Sequence, residues 1–209
     1  MNQIKLKNIL IAVSNKPSID VLLPILAKYA VKIWATEGTA KYISSKGYKA
    51  TSIVSGFDFD GRVKSLDKLI LAKVLADKNN PRHIEELQHV IARSEATKQS
   101  KDRFDLQSRS RDDKKGEAEP FDAVVVELYQ LDKKNFPESM DIGGMTLVRA
   151  AIKNFENVAL AYDAESIKEL VEHLKSNQGS SLLGFRKAQA KKAVNFIAQR
   201  CNLEAQLWK

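Results

Sequence analysis

The sequence predicts an α/β protein with a doubly wound, mostly parallel sheet and helices on both of its faces. Short apolar runs typical of buried strands alternate with segments that repeat apolar residues at the helical period of 3.6. Two of the runs, ILIAVS at 9–14 and DAVVVELY at 122–129, are almost wholly apolar, as expected of strands covered on both faces. With 209 residues, 44% of them hydrophobic, the chain is long enough for one domain with a sizeable core.

The predicted strands and helices follow one another along the chain. Strands are predicted at 9–14, 31–36, 48–54, 122–129 and 157–162. Helices are predicted over 18–30, 38–47, 66–78, 145–155, 166–177 and 182–208, with Ser18 as an N-cap and Gly47 as the end of the second helix. Because strands that alternate with helices pair in parallel, their carboxyl ends should meet at one edge of the sheet.

One segment, 89–119, departs from this alternation. It holds eight Lys or Arg residues, seven Asp or Glu residues and a single aromatic residue, Phe104. Such a segment buries too little apolar surface to offset the conformational entropy lost on ordering. We therefore expect residues 1–209 to form one domain with an exposed, mobile insertion at about 89–119; a basic docking arm is the alternative.

The composition limits the class of partner. The net charge of +8 fits nucleic acid, an anionic surface or a phosphorylated small molecule, but no nucleic-acid-binding signature and no apolar run of about 20 residues is present. We therefore expect neither a nucleic-acid partner nor a membrane span. One cysteine, Cys201, and three histidines argue against a disulfide framework and against a metal site, and they fit a cytoplasmic protein.

Polar residues follow three of the predicted strands. They are Ser14, Asn15 and Lys16 after the first, Thr36, Glu37, Gly38 and Thr39 after the second, and Tyr129 after the fourth. Hydroxyls, a lysine, a glycine and helix starts at one edge of a sheet suit a phosphate cradle, although a Ser or Thr before a helix is usually only a cap. In FDGRVKSL, 59–66, Arg62 and Lys64 are either solvated cations or a pair that faces a site, and the pattern leaves both open.

The stretch DIGGMTLVRAAIKN, 141–154, places two glycines directly before a helical pattern. A glycine inside a helix costs about 1 kcal/mol relative to alanine, so Gly143 and Gly144 need a physical reason. One reason is backbone that approaches a ligand with free N–H groups at a helix start. The other is the close packing of two helices.

Taken together, the motifs AVSNK, ATEGTAKYI, GRVKSL, VVVELY and DIGGMTLVRAAIKN resemble a known family. In this order they are similar to the N-terminal, IMP cyclohydrolase domain of bifunctional AICAR transformylase/IMP cyclohydrolase. The resemblance covers nearly the whole chain outside 89–119 and implies a methylglyoxal-synthase-like fold. It does not extend to the transformylase half, so a separate transformylase stays an open question.

The resemblance also implies an activity and a site. Enzymes of this family close the purine ring of the formamido-imidazole-carboxamide ribonucleotide FAICAR to give IMP and water, without a metal or redox cofactor, and a homodimer is expected. The implied catalytic residues are Lys64, Tyr129, Asp141 and Lys153. The implied substrate-binding residues are Ser14, Lys16, Thr36, Gly38, Thr39, Arg62, Gly143, Gly144 and Asn154.

Several residues depart from the family pattern inside its motifs. They are Glu37, Asp67, Lys68, Glu127, Gln130 and Phe155. Two hypotheses follow: a free-standing IMP cyclohydrolase, whose preorganisation these changes would weaken, or a purine-ribonucleotide-binding module that has lost turnover. Methylglyoxal synthase, which shares the fold, lacks the DIGG and GRVK motifs.

Glu37 would place an anion beside a bound phosphate. Its carboxylate either turns outward to solvent or pairs with a basic residue such as Lys16 or Lys41. We expect the outward arrangement, because surface ion pairs are worth only about 0–1 kcal/mol.

Overall fold

Five parallel strands form the centre of the fold. The computed structural model describes residues 1–53, 67–99 and 119–208, with the backbone alone over 91–99. The strands are β1 (Gln3–Lys5), β2 (Asn8–Val13), β3 (Lys32–Thr36), β4 (Thr51–Ile53), β5 (Ala123–Glu127), β6 (Ala159–Ala161) and β7 (Ser180–Leu182). The five-stranded sheet has the order β4-β3-β2-β5-β6, and every neighbouring pair is parallel. The predicted doubly wound α/β fold is therefore confirmed.

Helices cover both faces of this sheet. Within the described ranges they are α1 (Leu23–Lys28), α2 (Glu37–Ser45), α3 (Lys68–Leu75), α4 (Pro81–Gln99), α5 (Ile142–Lys153), α6 (Ala164–Ser176) and α7 (Leu183–Leu207). Apolar residues of α1, α2 and α6 pack on one face, and those of α3, α5 and α7 pack on the other. Each face thus has its own hydrophobic core.

The strands at the centre contribute to both cores because side chains of a strand point alternately to opposite faces. In β2, Ile9 and Ile11 belong to the first core, whereas Leu10 belongs to the second. In β5, Val125 belongs to the first core and Val124 to the second. This double burial explains why both segments are nearly continuous apolar runs.

The segment 18–30 does not form the single helix that its periodicity predicts. A 3-10 turn, Lys16–Ile19, precedes the short helix α1. Pro17 and Pro24 lack an amide hydrogen, and each occupies the first turn of its own short helix, where that hydrogen is not needed. Ser18 consequently lies inside the 3-10 turn and is not the N-cap of a long helix.

A second, two-stranded sheet joins the two ends of the described chain. β1 pairs antiparallel with β7, and Gln3 lies opposite Leu182. Arg186, at the start of α7, is fully buried and donates to four backbone carbonyls, including those of Met1 and Phe155. These contacts fix the N-terminal strand to the C-terminal helix.

The predicted insertion overlaps a helix. α4 runs from Pro81 to Gln99, so the first part of 89–119 is helical, and 100–118 lies outside the described residues. The exposed insertion therefore stays a prediction. In the part of the chain that the structure describes, no helix combines the length and the apolar character needed to cross a bilayer.

Candidate active site

The carboxyl ends of β2 and β5 mark the topological switch point of the sheet. β3 and β4 lie on one side of this strand pair, and β6 lies on the other. The chain leaves β2 toward the face of α1 and leaves β5 toward the face of α5, so a crevice opens between the two loops. Ligands of doubly wound sheets bind in such crevices. We call this edge of the sheet the rim.

Ser14 joins the two loops of the rim. Its amide donates to the carbonyl of Glu127 at 3.0 Å, and its hydroxyl donates to the carbonyl of Leu128 at 2.9 Å. The pairing of β2 with β5 thereby continues past the last regular residue of each strand. Ser14 thus holds the residue before Tyr129 in place.

Lys16 reaches from the end of β2 toward the start of α2. Its ammonium donates to the carbonyl of Val13, and a Cβ added at Gly38 would lie 4.0 Å from its Cε. Partial burial lowers the pKa of Lys16, while the negative charge of Glu127 acts in the opposite direction. A partly dehydrated cation therefore lies beside the first turn of α2.

The first turn of α2 presents backbone N–H groups at the same place. Thr36 occupies the N-cap position, but its side chain makes no capping hydrogen bond; its hydroxyl instead donates to Oγ1 of Thr39 at 3.0 Å. Thr39 is fully buried. Helix starts attract anions through such N–H groups, so Lys16, Gly38 and this turn together form a phosphate-type cradle.

Glu37 does not take the purely outward arrangement that we expected. Its Oε1 lies 2.8 Å from Nζ of Lys41 on the next turn of α2, although its side chain is 57% exposed. Side chains four residues apart on a helix are neighbours, and this favours the ion pair between Glu37 and Lys41. Our expectation gave this effect too little weight. Lys16 is not the partner, and the carboxylate stays at the surface.

Asp141 is placed by the start of α5. One carboxylate oxygen accepts from the amide of Gly144 at 2.7 Å, and the other accepts from the amide of Tyr129 at 3.2 Å. Asp141 is therefore the N-cap of α5 and at the same time fixes the loop that follows β5. Tyr129 lies at the rim and is 61% exposed, so its phenol is accessible there.

Gly144 is explained by these contacts. A Cβ added at Gly144 would lie 2.6 Å from Cδ2 of Leu128 and 2.7 Å from Oδ2 of Asp141. A side chain here would displace the Leu128 side chain or the capping carboxylate, so glycine suits this position. Gly143 is also buried, and both glycines lie inside the helix instead of before it.

Lys153 and Asn154 lie at the other end of α5. Because an α-helix rises 1.5 Å per residue, the twelve residue steps from Asp141 to Lys153 separate them by about 18 Å. The Asn154 amide donates to the carbonyls of Val74 at 2.8 Å and Ala76 at 3.0 Å, at the end of α3. Within one chain, the structure therefore does not bring these two predicted site residues to the rim.

The remaining predicted residues divide into two groups. Arg62 and Lys64 lie outside the described residues. The rim brings together Ser14, Lys16, Thr36, Gly38, Thr39, Tyr129, Asp141, Gly143 and Gly144.

Glu127 is a rim residue that the sequence analysis treated only as a departure from a motif. Its carboxylate accepts a hydrogen bond from the hydroxyl of Ser18 at 2.9 Å, and its charge acts on Lys16. The signal was a charged residue at the carboxyl end of an otherwise apolar strand. That pattern alone does not reveal which neighbouring groups the carboxylate meets.

Other clusters of polar residues were considered as sites. Among the described residues, no group of three or more His, Cys, Asp or Glu side chains could hold a metal ion. A shallow groove of about 420 Å³ lies between α6 and α7 and is lined by Glu169, Glu172, His173, Ser176, Phe185, Ala188, Gln189 and Lys192. Its polar groups bond to one another, as in the 2.6 Å pair between Lys192 and Glu169, so the rim remains the better candidate.

The fold defines a methylglyoxal-synthase-like α/β protein, and the rim lies at the switch point of its sheet. The crystal structure of ForH matches this fold with a TM-score of 0.71 and covers 98% of this chain and 100% of that chain. At 23% sequence identity, the likeness to ForH shows the fold alone.

Curated sequences give a more specific relationship, although no protein-family model matches the chain. The chain is 31% identical over 201 residues to the bifunctional purine biosynthesis protein PurH of Clostridium kluyveri, and 31% identical over 197 residues to PurH of Bradyrhizobium diazoefficiens. The alignments cover 90% and 88% of this chain but 35% and 32% of the relatives, so the chain spans about a third of their length. The chain is a relative of PurH, which confirms the resemblance inferred from its motifs.

Proposed function

We propose that this protein is an IMP cyclohydrolase that closes the purine ring of FAICAR to give IMP and water in the cytoplasm. One observation carries the proposal: a phosphate-type cradle and the Tyr129–Asp141 corner meet at the switch point of a chain related to PurH.

In the proposed complex, the 5′-phosphate lies at the start of α2. The N–H groups of that turn and the ammonium of Lys16 would neutralise it, with Ser14, Thr36 and Thr39 as hydroxyl partners. The Gly143–Gly144 backbone allows the base to approach the start of α5 closely. This places the two reacting arms of the substrate beside Tyr129.

The chemistry asks mainly for orientation and proton transfer. The carboxamide nitrogen attacks the formyl carbon and forms a C–N bond. The attacking nitrogen loses one proton, the formamide nitrogen loses another, and both leave with the former formyl oxygen as water, so no external reagent is consumed. We assign hydrogen bonding or proton transfer to the phenol of Tyr129 and to Lys64, the latter from the family resemblance. Asp141 holds the Tyr129 loop, and we leave Lys153 and Asn154 out of the site.

A second candidate function is a binding module that retains the nucleotide but does not turn it over. The observation that favours it is the carboxylate of Glu37, which lies on the outer side of the turn of α2 that would bind a phosphate. An anion already at a helix start reduces the field that attracts a second one.

Conversion of FAICAR to IMP, followed by the ultraviolet absorbance of the product, tests the proposal. Purified protein should raise the rate over a protein-free control, and Lys16→Ala should raise the KM for FAICAR more than it lowers kcat. Lys168→Ala, on the exposed side of α6, is the matched control and should change neither constant. IMP binding without turnover would support the binding module, and the absence of both would overturn the two candidates.

A further inference from the structure

Glu127 is a carboxylate beside the phosphate-type cradle, at the end of β5. It ends β5 directly opposite Val13, the last residue of β2. Its carbonyl is bonded to the amide of Ser14, and its half-buried side chain accepts from the hydroxyl of Ser18 at 2.9 Å. The backbone and the side chain of Glu127 are therefore both held by the loop that carries Lys16.

Glu127 lies close to Lys16. The ammonium of Lys16 donates to the carbonyl of Val13, and Val13 is the residue paired with Glu127. Burial lowers the pKa of Lys16, and the negative charge of Glu127 acts in the opposite direction. A phosphate bound at Lys16 would therefore lie near a second, fixed negative charge.

Glu37 provides a contrast on the same edge. Its side chain is more than half exposed and bridges to Lys41 on the outer surface of α2. Solvent screens such a charge, whereas a half-buried carboxylate held by a hydrogen bond is screened much less. The two glutamates should therefore affect a bound anion to very different extents.

We propose that Glu127 determines the specificity of this site by lowering its affinity for the dianionic phosphate of a ribonucleotide relative to the uncharged nucleoside. The inference rests on the proposed function, because it assumes that the purine ribonucleotide binds at the rim. Ser18, whose hydroxyl is shared between this carboxylate at 2.9 Å and the carbonyl of Asn15 at 2.7 Å, acts as a positioning residue that keeps the carboxylate beside the loop of Lys16.

The test compares IMP with inosine by calorimetry. Glu127→Gln retains an oxygen that accepts from Ser18 but removes the charge, and it should tighten IMP binding by tenfold or more while changing inosine binding less than twofold. Glu37→Gln, the matched control, should tighten IMP binding less than threefold. Ser18→Ala should shift IMP affinity in the same direction as Glu127→Gln, because the released carboxylate can turn to solvent.

The outcomes separate this inference from the proposed activity. An unchanged or weaker affinity of Glu127→Gln for IMP overturns the inference even if the wild type converts FAICAR. If the wild type has no activity but Glu127→Gln binds IMP tenfold more tightly, the proposed activity fails and the inference stands. If neither protein binds IMP, both are overturned, and thermal unfolding of each variant verifies that it is folded.

Discussion

At the residue scale, Gly144 is a position of the rim where a side chain has no space. An alanine there places a methyl group 2.6 Å from Cδ2 of Leu128 and 2.7 Å from Oδ2 of Asp141, so the Leu128 side chain or the capping carboxylate must move. We expect Gly144→Ala to lower the free energy of unfolding by about 1–3 kcal/mol, as overpacking does elsewhere. Urea denaturation measures this change.

Gly184 is the matched control for Gly144. It also lies in the first turn of a helix, α7, but a Cβ there meets nothing within 4 Å. Gly184→Ala should be neutral or stabilising by up to about 1 kcal/mol, because alanine restricts the unfolded chain more than glycine does. Equal losses in both variants would show that the steric explanation for Gly144 is wrong.

Tyr162 gives the fold a dependence on alkaline pH. Burial, together with the negative charges of Asp163, Glu169 and Glu165, raises the pKa of Tyr162 to about 12 from an ordinary value of 10.0. The folded state therefore keeps this proton longer than the unfolded state does. The resulting stability is complete below pH 10 and is lost as the pH rises toward 12.

Tyr162→Phe should accordingly flatten the dependence of unfolding free energy on pH between 10 and 12. Urea denaturation at a series of pH values in that window measures the slope, and Tyr129→Phe removes a rim tyrosine for comparison. If Tyr129→Phe flattens the slope as much as Tyr162→Phe does, Tyr162 is not the source of this pH dependence.

Single residues of the site were predicted unevenly, for a physical reason. Ser14, Lys16 and Tyr129 follow strand ends, and parallel strands bring those ends together, so strand prediction alone places them at one rim. Lys153 was inferred from the motif DIGGMTLVRAAIKN, whose residues were all assigned to one site. The motif spans the whole of α5, so its two ends lie near opposite edges of the sheet. Arg186, the buried arginine, has no periodic or motif signal in the sequence.

At the element scale, α5 depends on the cap that Asp141 provides. Removal of an N-cap side chain costs about 0.5–2 kcal/mol, whereas asparagine caps about as well as aspartate. We expect Asp141→Ala to lower the unfolding free energy by about 1–2 kcal/mol and Asp141→Asn by less than about 0.5 kcal/mol. Chemical denaturation of both variants measures the difference.

The same pair of variants distinguishes a structural from a charge-dependent role of Asp141. If the residue serves the site only by holding the Tyr129 loop, Asp141→Asn retains most of the activity that Asp141→Ala loses. Loss of activity in Asp141→Asn, with stability preserved, would instead show that the negative charge itself is required.

Elements were predicted well where a periodic pattern is long and poorly where pairing is non-local. The five central strands and the helices α5, α6 and α7 match their predictions to within a few residues. β1 and β7 have three residues each and lie at opposite ends of the sequence, so no local pattern indicates their pairing. The helix predicted over 18–30 failed because apolar periodicity does not register the two prolines.

At the scale of the whole molecule, α7 leaves apolar side chains uncovered. Ile197 is buried and Phe196 packs against Tyr162, with 5.0 Å between ring centroids. By contrast, Val194, Leu203 and Trp208 are more than half exposed. Among the described aromatic residues, Trp208 contacts the ring of Phe136 alone, in an edge-to-face arrangement. The predicted homodimer would cover this surface.

We therefore expect the mass of a dimer, and not of a monomer, in light scattering at micromolar concentration. Leu203→Glu should lower the measured mass toward that of a monomer, because it places a charge on the exposed apolar side of α7. Lys191→Glu, a charge change at an exposed position of the same helix, is the control. A monomeric wild type would contradict the prediction.

The antiparallel pairing of β1 with β7 has a consequence for the order in which the protein is made. β1 leaves the ribosome long before its partner strand β7 and before Arg186, which binds the carbonyl of Met1. At about 5–20 residues per second, β1 waits roughly 10 to 35 s for β7. A nascent chain stalled before residue 180 should leave β1 open to protease, whereas a chain that includes β7 and α7 protects it. Synthesis of β7 and α7 thus secures a strand that left the ribosome much earlier.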